Sequence, residues 1–537
     1  MLITPKQLWQ DFDPKELDFA VTIVREREFD THLEQYLYFN AVKTTDGVVR
    51  ACAKLYTPKN LQNSTAVTVF DDIFNSVDSF DPTSYLAKGF AVLVVDYAGE
   101  RNDNKRYTTI YPPSFNFAYY HKNPDTITVC DDPHFSCWYI WGIIAIRANA
   151  YLESLGYKNR FSLGFGHGGE NVWKISHFEN AIICGATVFS GGLIDSDNLA
   201  YKTALDSSSY ALSAKSPIFI QVTSNELNDS LDEFNELYEA SISNNESRFS
   251  ILEKSMRCID YKRVDNPLIW FLLYLEKSLA KRCSEKIVEC PPSVLIHSSE
   301  QKLYCDVVVP DYKNLEKVEL FVCYGDNSPS TRFWRNIQLQ MVSESEYLAK
   351  LDTASPEKPL FVFATAEYKS GLYLSSSISS IIPHTLGIKA PARKFKRLLY
   401  DIDMGISNFT ISNWTKSEYQ LFIKEGPLGL QGLTSTINSG STYLLADDEF
   451  KPKDNLSLQF MLYSSEAQKV EFSILCSKTH NKFITIKELD GNNSWEKITL
   501  SHEELKFENT PLKDWNSVLT FTINSEKGLL LNSVLWV

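Results

Sequence analysis

The chain has 537 residues, 44% of them hydrophobic and 22% charged, with a net charge of −14. That length exceeds a single core and points to several domains of ordinary folded composition. The acidic balance excludes a general nucleic-acid binder, which needs a concentrated basic surface; the one short basic cluster, Pro391 to Tyr400, reads as solvated linker or strand start.

The first half alternates strands and helices. Ala66–Phe74 opens with a short apolar run, and Phe90–Glu100 is a β-branched run ending in Asp and Gly. Such runs suit strands covered on both faces of a parallel sheet. The segment between them predicts a crossover helix ending at Gly89, and Ser136–Gly156 predicts a long buried helix, again closed by glycine. RFSLGF then reads as a strand, followed by a glycine turn and a helix from about Glu170. AIICGATVFS and Ser216–Ser224 read as strands with a helix-poor linker between them. LDEFNELYEASIS reads as a helix, FSILEK as a strand, and Val264–Cys283 as a closing apolar helix. Repeated strand–helix units imply an α/β sheet with helices on both faces.

After Cys290-Pro291-Pro292 the texture changes to short alternating strands without helices, which predicts an immunoglobulin-like sandwich. From about Lys394 a second β-rich stretch predicts a jelly roll. The expected organisation is an α/β domain over 1–284, a sandwich over 285–392 and a jelly roll over 393–537. Ten cysteines without a CxxC pair read as buried thiols, and no ligand cluster has zinc-like spacing. Asp131, Asp132, His134 and Cys137 are weighed as a metal set against an acidic helix entrance, with Ser136 as cap. Neither metal nor other cofactor is expected. The N-terminus lacks the pattern of a secretion signal and no apolar run is long enough to span a bilayer, so the expectation is a cytoplasmic protein without a membrane span.

LAKGFAVLVVDYAGERN and WGIIAIRANAYLESLGYKNRFSLGFGHGGENVWKIS carry a family resemblance over roughly residues 30–283. They resemble the α/β-hydrolase superfamily, in particular its acetylxylan-esterase-like and prolyl-oligopeptidase-like members. The resemblance implies a nucleophile elbow G-x-S-x-G-G, then an acid, then a histidine. The elbow positions are Gly164, Phe165, Gly166, His167, Gly168 and Gly169, so Gly166 stands where the serine is expected. A shift of one residue puts His167 at the tip, as an unusual nucleophile; the alternative is a plain tight turn. Glu226 or Asp229 falls at the acid position, or else Asn225–Asp232 caps the helix that follows. The histidine position falls near Met256-Arg257, neither of which is a general base at neutral pH, and His297 lies beyond the Cys-Pro-Pro boundary. Asp71 and Asp72 occupy the turn where oxyanion donors are expected; two carboxylates there oppose a developing oxyanion, unless the turn is merely solvated.

SWEKITLSHEELKFENTPLKDWNSVLTFTIN and LLLNSVLWV resemble galactose-binding-like, carbohydrate-binding jelly rolls. That resemblance implies a glycan or acylated-sugar ligand, with Trp414, Trp495 and Trp515 stacking on sugar or else packing in the core. Three functions follow. One is a degenerate hydrolase that binds a glycan or a protein partner. Another is an active carbohydrate esterase with an unusual nucleophile or relocated base. The third is a structural subunit of a cell-surface or polysaccharide assembly.

Overall fold

The computed structural model describes residues 2–537 except 45, 61–63, 100–105, 114–131, 190–197, 227–229, 243–245, 256–262, 280–287, 326–328, 353–355, 390–394, 407, 411–419, 448, 453–455, 477–478 and 480. Its first unit is built on a nine-stranded sheet: β1 (Thr22–Glu28), β2 (His32–Lys43), β3 (Val48–Pro58), β4 (Thr65–Phe70), β5 (Ala91–Asp96), β6 (Asn159–Phe165), β7 (Gly185–Val188), β8 (Ile218–Thr223) and β9 (Arg248–Leu252). The order across the sheet is β1-β2-β3-β5-β4-β6-β7-β8-β9. β1, β2 and β3 are antiparallel, β3 meets β5 antiparallel, and every pairing from β5 to β9 is parallel. β4, β5 and β8 are buried along their whole length, as strands covered on both faces must be.

Eight α-helices are described: α1 (Pro5–Leu8), α2 (Thr83–Ala87), α3 (Cys137–Ser154), α4 (Gly168–Ser176), α5 (Leu199–Ala204), α6 (Ser207–Ala211), α7 (Leu231–Ile242) and α8 (Asn266–Leu279). α3 and α4 pack on one face of the sheet, and α2 and α8 on the other. Ser136 caps α3 by accepting from the Tyr139 N–H. Arg147, buried on α3, donates to the carbonyls of Asn40, Pro14 and Leu17 and so fastens the N-terminal segment to the sheet.

Local chemistry shortens or moves several expected elements. The helix expected before Gly89 spans only Thr83–Ala87, because Pro82 sets its start and Ser76, Ser79 and Asp81 bond a turn ahead of it. AIICGATVFS yields a strand only at Gly185–Val188. The linker expected to be helix-poor carries α5 and α6; Asn198 caps α5. α7 is capped by Ser230, whose Oγ accepts from Asp232 and Glu233 while Glu233 accepts from the Ser230 N–H. The antiparallel run β1–β3 has no counterpart in the sequence reading.

Four further sheets follow. Ser293–Ser299, Lys302–Val308, Glu346–Leu351 and Gln340–Met341 make one; Arg335–Ile337, Leu315–Tyr324, Leu360–Tyr368 and Tyr373–Ser375 make the next, with Ser379–Ile381 beside Leu360–Tyr368. The last two are six-stranded and enclose a core around Phe460, Phe472, Phe521 and Trp536. These paired sheets fit β-sandwich architecture. The first two of these sheets are called the second unit and the last two the third; the second is not a free bead. Its Phe321, Trp334 and Phe363 join the first unit's core, and Ser375 Oγ accepts from the Ile251 N–H on β9 at 2.9 Å, covering that sheet edge.

Candidate active site

β6 delivers the chain into the glycine turn at the C-terminal end of the parallel sheet, and α4 leaves from it. The turn is tight. A Cβ on Gly168 would lie 2.1 Å from the Phe70 carbonyl oxygen, so the start of α4 lies directly against the end of β4. Gly166 has φ +51°, a conformation L side chains rarely adopt, and its N–H donates to the Val188 carbonyl at 3.0 Å. A strand-to-helix turn with a left-handed tip, at the top of a mostly parallel sheet, is the geometry of a nucleophile elbow. The N-terminal fold is α/β-hydrolase-like.

Comparison with known proteins adds breadth but no function. No family model matches the chain, and no curated protein matches it. Among solved structures it is similar to acetyl xylan esterase 1 from Thermoanaerobacterium sp., with 14% identity over 47% of this chain and 87% of that one, at a TM-score of 0.34. It is also similar to an acetyl xylan esterase from Paenibacillus sp., with 12% identity over 50% and 91% and a TM-score of 0.36. A glucuronoyl esterase from Solibacter usitatus shows 12% identity over 42% and 73%, with a TM-score of 0.31. At such identities the likeness is one of chain path alone; what those proteins act on says nothing of this one.

The elbow tip is filled from outside. A Cβ on Gly166 would stand 2.5 Å from Oδ2 of Asp72 and 2.9 Å from its Cγ. The carboxylate of Asp72 therefore lies where a nucleophile's side chain would begin. Its Oδ1 accepts from the Ile73 N–H at 2.7 Å and contacts His167 Nδ1 at 2.7 Å. The turn after β4 is where an α/β-hydrolase offers an oxyanion donor, and here that turn's own side chain takes one of its N–H groups. Asp71 accepts from the Asp72 N–H and from Asn75 Nδ2, and burial raises its carboxyl to about 6. His167 is oriented twice, by Asp72 and by stacking over the buried Trp138 at 6.0 Å. Below lies a buried ion pair: Lys174 Nζ meets Glu170 Oε2 at 2.7 Å, and the Tyr201 hydroxyl donates to Glu170.

The described residues just past β8 and β9, near where the acid and base are expected, include some that meet other units. Glu226 is buried and accepts from Thr223 Oγ1 at 3.2 Å. Burial, and then the charge of Glu226, push up the phenol of Tyr443, a residue of the third unit. Asn225 Nδ2 donates to the Ser330 and Arg332 carbonyls of the second unit at 3.1 and 2.8 Å. Lys254, two residues past β9, lies over the Phe333 ring at 5.6 Å, and burial lowers its ammonium to about 8.

The structure thus brings together Gly166, His167 and Asp72, with Asp71 alongside. It engages Glu226 elsewhere. Asp229, Trp414 and the Met256-Arg257 pair lie outside the described residues. His297 pairs with Asp306 in the second unit. His134 bonds Asp132, Asp131 is outside the described residues, and among the described residues no group of three or more His, Cys, Asp or Glu could hold a metal ion. Trp515 is 2% exposed, packs on Trp536 at 5.1 Å and donates to the Leu456 carbonyl. Of the two readings given for Trp515, this burial answers to core packing and not to stacking on sugar. Trp495 is half-buried and donates to the Pro427 carbonyl. The bonding of Asp72 to His167 was missed in the sequence. The available signal was an acid at the oxyanion turn together with glycine at the tip: each residue removes the other's obstacle.

Proposed function

We propose that the chain is a catalytically degenerate α/β-hydrolase that acts by binding or scaffolding, with a glycan, an acylated sugar or a protein of a polysaccharide pathway as its partner. The carrying observation is that Gly166 supplies no nucleophile while the Asp72 carboxylate fills the space above it. A serine hydrolase needs a hydroxyl at that tip and unoccupied donors for the oxyanion beside it. The contacts of Asn225 and Lys254 with the second unit support the same reading. The organisation we propose keeps three domains, 1–284, 285–392 and 393–537, the last a carbohydrate-binding-like jelly roll.

The test is acetate release from acetylated xylo-oligosaccharides by the full chain, alongside labelling by a fluorophosphonate and calorimetric titration with the same sugars. The expected result is binding with neither acetate release nor label. Turnover of the acetylated sugar above buffer overturns the reading. A second reading, an active carbohydrate esterase with a non-standard nucleophile, draws support from one observation, the bonded Asp72–His167 pair.

A further inference from the structure

His167 has features that a plain turn does not require. Its Nδ1 contacts Asp72 Oδ1 at 2.7 Å, which selects the tautomer with the proton on Nδ1. Asp72 is itself fixed by the Ile73 N–H. The ring lies over Trp138, which is buried, and keeps 19% of its side-chain surface exposed. Among the described residues no hydrogen bond engages Nε2. An imidazole held by a carboxylate on one nitrogen, with a lone pair on the other, is an activated nucleophile. Asp71 and Asp72 beside it repel a phosphoryl dianion but not an uncharged ester. Because Asp72 already occupies the Ile73 N–H, little remains to stabilise an oxyanion, so only a good leaving group can depart.

We propose that His167 is an acyl-accepting residue: its Nε2 takes the acyl group from an activated, uncharged ester and holds it transiently. The Nε2 lone pair forms the bond to the acyl carbon, the carbon–oxygen bond to the leaving group breaks, and an aryloxide departs. The Nδ1 proton passes to Asp72. Water then adds its oxygen to the acyl carbon, the carbon–Nε2 bond breaks, Asp72 returns its proton to Nδ1, and carboxylate and two protons leave. Asp72 is a positioning residue in this scheme. The inference rests on the reading of the elbow given above and adds to it a residual, serine-independent chemistry.

The experiment mixes the intact chain with p-nitrophenyl acetate, quenches at short times and maps acetyl groups by mass spectrometry, with the exposed His384, whose Nδ1 stands 3.7 Å from Glu357 and so outside hydrogen-bond reach, as internal control. The expected result is a transient acetyl on His167 exceeding that on His384. p-Nitrophenolate release should fall about 10²-fold in His167→Gln, and its pH profile should move in Asp72→Asn. No acetyl on His167, or labelling of His167 no greater than that of His384, overturns the proposal without needing any variant to fold. So does a His167→Gln rate equal to that of the parent chain. The two readings fail separately: acetate release from acetylated xylo-oligosaccharide sinks the degenerate reading, whereas an unlabelled His167 in a chain inert toward that sugar sinks this one alone.

Discussion

Gly166→Ala tests the closest packing in the candidate site. Two costs add. An alanine at φ +51° pays about 1–2 kcal/mol for the left-handed backbone. Its Cβ would also lie 2.5 Å from Asp72 Oδ2, well inside contact distance. That oxygen ends a flexible side chain, so the carboxylate swings away rather than the backbone yielding. Swinging breaks its bond from the Ile73 N–H and its contact with His167, each a charge-assisted interaction. Water recovers part of each, so the two together count as one full loss of about 1.5–3 kcal/mol, and with the strain the total is about 2.5–5 kcal/mol. The assay is denaturant unfolding of Gly166→Ala, Asp72→Ala and the double variant, with amide exchange read at Ile73. In the Asp72→Ala background the clash is gone and the alanine should cost only its backbone strain. The coupling should therefore be about 2 kcal/mol, within the range for touching residues. Additivity within about 0.5 kcal/mol, or Ile73 exchange unchanged in Gly166→Ala, would refute the claim that Asp72 occupies the tip.

Three further substitutions probe the surroundings. Burial, and then the charge of Glu170, raise the Asp206 carboxyl to about 7, with Ser208 pulling the other way. Its folded value lies above its unfolded one, so its contribution to stability is full below about pH 4 and lost as pH rises through about 7; Asp71 acts in the same direction to about 6. Asp206→Asn should flatten the decline between about pH 4 and 7, worth about 2–4 kcal/mol, and an unchanged profile counts against the assignment. Arg332 is buried, bonds Asp232 in bidentate fashion at 2.5 and 2.7 Å, and lies 3.7 Å from the Phe361 ring centroid. Arg332→Ala should cost about 2–3 kcal/mol and Arg332→Lys part of that, since Lys cannot form the fork; equal losses in the two would show that the fork contributes nothing. Trp515→Ala should cost about 3–5 kcal/mol in unfolding of the third unit, whereas a loss of glycan affinity at full stability would restore the stacking role.

Much of the fold is legible because its signals are local. β5 opens as a continuous apolar run and β4 and β8 are mostly apolar, as doubly covered strands require, and Ser136 and Gly156 bracket α3 as cap and stop. The elbow is legible for the same reason: its run of glycines marks a left-handed tip and a tight strand-to-helix turn in the local sequence, whatever the turn packs against. What escapes is whatever depends on distant partners. β1–β3 are half-polar strands whose place comes from pairing, with β3 joining β5 across an intervening crossover. α5 and α6 are short and polar, too brief for periodicity to show. Asp72 and His167 are 95 residues apart, so their bond has no local trace. Trp515 and Trp495 look equivalent in sequence, and only the enclosing sheets separate a core ring from a half-exposed one.

On the degenerate reading we propose, the departures from the hydrolase pattern are mutually consistent, which bears on whether a single residue accounts for them. A chain that had merely lost its serine would keep an acid and a base aimed at an open tip. Here the tip holds Asp72, the oxyanion turn is bonded to that same carboxylate, Asn225 donates to Ser330 and Arg332, and Lys254 lies on Phe333. Restoring one part therefore meets three obstacles. Gly166→Ser should remain unlabelled by a fluorophosphonate, and so should Gly166→Ser combined with Asp72→Gly, because removing the carboxylate also frees His167 from its orienting bond. Labelling of the double variant at a rate set by His167 would mean that a working base survives within reach of residue 166. The loss would then lie at one residue rather than across the whole site.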